Sequence, residues 1–124
     1  MGPYVGLSGQ QSIVVSDDDS ALTTGSGDVP TLATPRVVAL AEAAAIAALD
    51  GHLEEGQTSV GTQVSLRHRA PSPVGRRVEA IAALTEVDGR TLRFNVTVRD
   101  GDRTVAEGLI ERVIVDRDWF LRRA

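Results

Sequence analysis

The chain contains no cysteine and no lysine. The first absence excludes disulfides, a thiol nucleophile and thiolate metal sites, and the second excludes a Schiff base and a P-loop. Every side-chain cation is therefore an arginine, 13 in all against 17 carboxylates. Arginine is left as the only strong side-chain ligand for a phosphate. The two histidines, His52 and His68, are too few for a histidine-rich metal site, so no metal is expected. Catalysis must draw on Thr, Ser, Asp, Glu and those two rings. No apolar run reaches the length of a membrane span, and the opening MGPYVGLSGQQ has neither the basic region nor the apolar core of a signal peptide. A cytoplasmic protein without a membrane partner is expected. A net charge of -4 and a pI near 5.1 argue against nucleic acid as the main partner.

What is present is organised around Thr34 to Leu49, TPRVVALAEAAAIAAL. Its Ala, Leu and Val content favours helix, Thr34-Pro35 is a start signal with the threonine hydroxyl as cap, and Asp50-Gly51 is a stop. Only Arg36 and Glu42 interrupt an apolar surface, which predicts a helix buried on nearly every side. Glu42 must then find a partner, shift its pKa or face a cavity.

At 124 residues the chain is one domain, 1–124, with residues 1–10 expected to be loose. Ser12–Ser16 is a short strand candidate, and Thr23–Pro30 a polar loop feeding the helix. Beyond the helix, Thr58–Arg69 alternates, with Val60, Thr62, Val64, Leu66 and His68 on one parity and Arg67 and Arg69 on the other. His68 is thus directed toward the helix unless a bulge flips the register. An inward histidine and an inward Glu42 would partner each other. Further strands follow over Arg76–Glu86, Thr91–Asp100 and Thr104–Val115, joined by Asp-Gly turns, with a pattern shift near Glu111-Arg112 that suggests a bulge. Asp116–Leu121 reads as a closing helical turn. The fold class is α+β, an antiparallel sheet wrapped around one long helix. Small residues at Ala80, Ala82, Ala106 and Gly108 would let the sheet curl closely. A free sheet edge and an unmatched outer face suggest a homodimer or a higher homo-oligomer.

The series Thr34-Pro35, Glu42, Thr58-Ser-Val-Gly-Thr62 and His68-Arg-Ala-Pro-Ser-Pro-Val-Gly75 resembles the hot-dog thioesterase family that includes fluoroacetyl-CoA thioesterases. The match spans roughly Val29 to Val115, and its H-x-A-P-x-P-x-G run is the most specific part. The resemblance implies a dimeric hot-dog enzyme that hydrolyses acyl-CoA at a subunit interface, with Thr34, Glu42 and His68 as its catalytic residues. One departure matters. Fluoroacetyl-specific enzymes carry an aromatic-rich lid before the threonine, whereas TTGSGDVPTLA here has no aromatic residue, so fluoroacetate specificity is not implied.

A thioester is an easy electrophile with a leaving thiol of pKa about 8.5. The enzyme must supply an activated nucleophile and dipoles for the oxyanion. Glu42 and His68 would form the acid–base pair, with Thr34 positioning water or attacking directly. Backbone N–H groups near a helix start or at Gly61 are candidate oxyanion donors, because helix N-termini favour anions and glycine admits a ligand closely. Arg67, Arg69, Arg76 and Arg99 are candidates for the phosphates of coenzyme A, which enters as part of the substrate and not as a cofactor. A non-hydrolytic acyl-CoA-binding protein and a hydroxyacyl-thioester dehydratase would use the same fold.

Overall fold

The computed structural model describes residues 2–124. Strand β1 (Ser8–Val14) leads through a single 3-10 turn (Asp17–Asp19) and the short α1 (Ala21–Thr24) to the long helix α2 (Thr34–Ala48). Four strands follow, β2 (Gln57–His68), β3 (Arg77–Asp88), β4 (Thr91–Asp100) and β5 (Arg103–Asp116), and α3 (Arg117–Arg122) closes the chain. They form one five-stranded antiparallel sheet in the order β1-β3-β4-β5-β2. The class and the wrapped helix are those expected. Strand β1, however, starts at Ser8, inside the segment expected to be loose.

The core lies between α2 and the concave face of the sheet. Val37, Leu40, Ala41, Ala44, Ala45 and Ala48 of α2 meet Val78, Ala80, Ala82 and Leu84 of β3 and Leu92, Phe94, Val96 and Val98 of β4, all buried. Alternation along β3 and β4 puts these residues on one face, as a strand period of two requires. The closest approach is at Gly9 of β1. A Cβ there would lie 2.3 Å from the Ala48 nitrogen and 2.4 Å from the Ala44 carbonyl oxygen, so the strand rides directly on the helix backbone. Gly108, grouped by sequence with the helix-facing small residues, serves another contact. Its missing side chain leaves room for β2, where a Cβ would meet the Ser65 carbonyl at 2.0 Å.

Helix α2 is not buried on every side within one chain. Ala39 and Ile46 are exposed, and Glu42, Ala43 and Ala47 are half-buried. Their spacing of three and four residues makes them one open stripe. The physical reason is that a single sheet covers only one flank of a helix. The other edge strand, β2, leaves its outer side unpaired.

The bulge falls in β2, where pairing with β5 shifts between Gly61 and Gln63. The extra residue is Thr62, whose hydroxyl bonds to Glu111. Because a one-residue slip exchanges the two faces, Ser59 and Gly61 join Leu66 and His68 on the helix side. Val60 and Thr62, expected to point inward, belong to the other face. The break of pattern in β5 lies opposite this bulge, with Gly61 paired to Arg112 and Gln63 to Glu111.

Candidate active site

Two clusters form along α2. The first is at its N-terminus. Ala33 is the N-cap, with no side-chain cap, and Thr34 is already the first helical residue. The threonine hydroxyl is thereby free of the capping role expected of it, and Thr34 Oγ1 lies 2.8 Å from His68 Nδ1. Both ends of this contact are held by backbone. The Leu32 N–H donates to the Ser72 carbonyl at 2.8 Å, Thr31 bridges Pro73, and the Arg69 N–H donates to the Val105 carbonyl at 2.7 Å. The A-P-S-P-V-G run that follows His68 is thus stitched to the segment that precedes Thr34.

Burial pushes the pKa of His68 below the ordinary histidine value, partly offset by the polar backbone of Ala70 beside the ring, with which neither ring nitrogen makes a hydrogen bond of good geometry. The ring is neutral at pH 7 and able to accept a proton. Its Nε2 is buried and has no hydrogen-bond partner among the described residues. Beside the pair is a cavity of about 300 Å³, with Val29, Leu32, Ala70 and Pro71 among its walls.

The second cluster surrounds Glu42. Its Oε2 accepts from Arg112 Nη1 at 3.1 Å. Arg112, only 5% exposed, also donates through Nε to Ser59 Oγ and through Nη2 to the Ser59 carbonyl, both at 2.9 Å. Burial pulls the Arg112 pKa down and the neighbouring Glu42 pulls it up, so the guanidinium remains the charged partner. Gly61 completes the cluster, since a Cβ there would lie 2.4 Å from Glu42 Oε2. The absent side chain is what lets the carboxylate lie against the strand.

Within one chain, then, Glu42 is paired with Arg112 and His68 with Thr34. The direct Glu42–His68 partnership expected from parity is not formed there. Eight residues separate Thr34 from Glu42 on the same helix, a rise of about 12 Å. The sequence reading missed Arg112 and Ser59, although the broken alternation at Glu111-Arg112 was the visible trace of an arginine turned inward. Of the arginines considered for phosphate, Arg67 is exposed on β2 and Arg69 pairs with Glu107 at 2.7 Å. Arg76 pairs with the buried Asp100 at 2.7 Å, and Arg99 donates to the carbonyls of Gly101 and Asp102.

A sheet of this order curled around one central helix is a hot-dog fold, and the polar groups of the two clusters lie on α2, β2 and β5. The family model of fluoroacetyl-CoA-specific thioesterases matches residues 15–118, and the chain belongs to that family. The fluoroacetyl-CoA thioesterase of Streptantibioticus cattleyicolor is 35% identical over 88 residues, which are 71% of this chain and 63% of that enzyme. A solved structure of a fluoroacetyl-CoA thioesterase superposes with a TM-score of 0.91 at 29% identity, covering 99% of this chain and 96% of the other. A hot-dog-like protein from Thermanaerovibrio acidaminovorans gives 0.87 at 27% identity, covering 96% and 88%.

Proposed function

We propose that the protein is an acyl-CoA thioesterase, acting as a homodimer whose sites each combine Thr34 and His68 of one protomer with the partner's Glu42. The observation that carries this reading is the orphaned His68 Nε2. A buried ring nitrogen without a partner costs about 1–3 kcal/mol, and a carboxylate acceptor would remove that cost while holding Nδ1 as the acceptor of the Thr34 proton. The same chain's Glu42 is too far along the helix to serve. The unpaired edge of β2 and the open stripe of α2 supply the surfaces on which a second copy can bring its own. Family membership supports the substrate class.

In this scheme His68 accepts a proton from Thr34, or from a water that Thr34 positions. The resulting oxygen nucleophile adds to the thioester carbonyl. Collapse of the tetrahedral adduct breaks the C–S bond, and the proton held by His68 goes to the departing sulfur. Gly61 N–H is the oxyanion donor best suited by its lack of a side chain. With water as the nucleophile the products are at once the free acid and coenzyme A; with Thr34 as the nucleophile coenzyme A leaves first, and a water that gives its proton to His68 then hydrolyses the acyl-threonine ester to the free acid and the regenerated hydroxyl. The absence of aromatic residues in the loop before Thr34 separates this cavity from an aromatic lid, so an acyl group other than fluoroacetyl is the expected preference. An acyl-CoA substrate also fits a cytoplasmic location.

Mixing two inactive variants tests the arrangement. His68→Ala and Glu42→Gln homodimers should each lose thiol release, and subunit exchange should restore about a quarter of the wild-type rate, because a mixed dimer holds one intact site of two. No recovery after proven exchange would place all three residues in one chain's site. If wild type releases no thiol from short, branched, aromatic or long acyl-CoAs, the hydrolytic reading fails.

A further inference from the structure

The Asp-Gly turns that join β3 to β4 and β4 to β5 differ in one respect. Asp88 is exposed, which turn chemistry alone allows, whereas Asp100, the last residue of β4, is 3% exposed. Its side chain turns back into the protein. Oδ1 accepts from Arg76 Nε at 2.9 Å and lies 2.7 Å from Nη2, while Oδ2 faces Arg103 Nη2 at 3.6 Å. Burial pushes the Asp100 pKa up, but Arg76, with the nearby Ser72 hydroxyl and Arg103 behind it, brings it below the ordinary carboxylate value, so the group is charged. Taking a carboxylate out of water offsets much of what such ion pairs contribute to stability. The burial of Asp100 is better explained by what it holds in place.

What it holds is the run between His68 and β3. Pro71 and Pro73 have no N–H, so residues 70–76 cannot be secured by a regular ladder. The Pro71 carbonyl instead accepts from Arg103 Nη2 at 2.6 Å, and the same atom faces Asp100. Arg76, at the other end of the run, is held by Oδ1. One carboxylate thus clamps both ends. Between them, the carbonyl of the wholly buried Ser72 accepts the Leu32 N–H at 2.8 Å, two residues before Thr34. Ala70 and Pro71 are walls of the cavity beside Thr34 and His68. The clamp therefore acts on both sides of the Thr34–His68 contact, where a displacement of about 1 Å is enough to cost about a hundredfold in rate.

We propose that Asp100 is a positioning residue for the thioesterase reaction, fixing residues 70–76 through Arg76 and Arg103 and, through that run, the approach of Thr34 Oγ1 to His68 Nδ1. Its part in hydrolysis rests on the acyl-CoA reading, whereas its hold on the pair does not.

The test uses Asp100→Asn, which keeps the shape and loses the charge, Arg103→Met, which releases the Pro71 carbonyl, and Val96→Ala, a change in the core of β4 away from the run. Each is made with and without Thr34→Ala, and activity is expressed per folded molecule. Asp100→Asn and Arg103→Met should lower kcat for acyl-CoA about tenfold with KM kept within about twofold, while Val96→Ala lowers Tm and leaves kcat unchanged. Thr34→Ala, costly in wild type, should cost several-fold less in the Asp100→Asn background, because the contact it removes is already loosened. The His68 ring nitrogens, followed by NMR, should move in Asp100→Asn toward their positions in Thr34→Ala. If Asp100→Asn does not fold, Arg103→Met decides on the same readouts. Unaltered His68 nitrogen signals, or an unaltered kcat in a protein that releases thiol, beside a lower Tm would make Asp100 a structural brace only and overturn the proposal. A wild type that releases no thiol, but whose His68 signals respond to Asp100→Asn as they do to Thr34→Ala, would uphold the positioning of the pair and reject the thioesterase.

Discussion

At the scale of single residues, the candidate site depends on which partner each polar group has. In the single chain burial holds the His68 pKa below its ordinary value, and a partner's carboxylate at Nε2 would push it back up, so the His68 ring should titrate at lower pH in Glu42→Gln than in wild type when followed by NMR. In that variant the unfolded chain takes up the ring proton more readily than the folded one. Stability should therefore decline as pH drops through 6.5 and level off below the lowered folded pKa, and His68→Gln should flatten this part of a plot of melting temperature against pH. Arg112 is the reverse case, a charge whose partner would be stranded by its loss. Arg112→Met should cost about 2–3 kcal/mol in urea unfolding, less than for a fully enclosed pair because the Glu42 side chain is 31% exposed. Adding Glu42→Gln should recover part of that loss, and strict additivity in the cycle would show that the two groups are not coupled.

At the scale of elements, two glycines set contacts that no other residue permits. Gly9→Ala would drive a methyl into the α2 backbone, so a loss of about 3 kcal/mol or more is expected in denaturant titration. Gly61→Ala instead meets the movable Glu42 carboxylate, and should depress kcat far more than it lowers the melting temperature. The alternation in β3 and β4 was legible in the sequence because β4 keeps one period and one buried face throughout and β3 does so as far as Leu84, beyond which its pairing shifts at Thr85. So was the start of α2 at Thr34-Pro35. The first half of β2 was not, because the extra residue at Thr62 reverses its faces without altering composition. The N-terminal strand was misjudged for a related reason: Gly9 looks like a loop residue until the helix it must accommodate is in place. The partners of Glu42 and His68 were hidden because parity says which way a side chain points and not how far along a helix it sits.

At the scale of the whole molecule, the proposed dimer would be built on the open stripe of α2 and the free edge of β2. Ile46, 52% exposed on that stripe, is a sensitive probe. Ile46→Glu should shift sedimentation from dimer toward monomer and lower activity with it, whereas a fully active monomer would remove the need for a partner's carboxylate. No helix among the described residues is long and apolar enough to cross a membrane. The absence of lysine carries a different consequence. An activated thioester transfers its acyl group to any free amine held beside it, and a protein that gathers such compounds risks modifying itself. Guanidinium groups, which stay protonated at any physiological pH, supply this chain's side-chain cations without offering such an acceptor. The chain has no lysine at all, so none of its side chains offers an amine to be acylated.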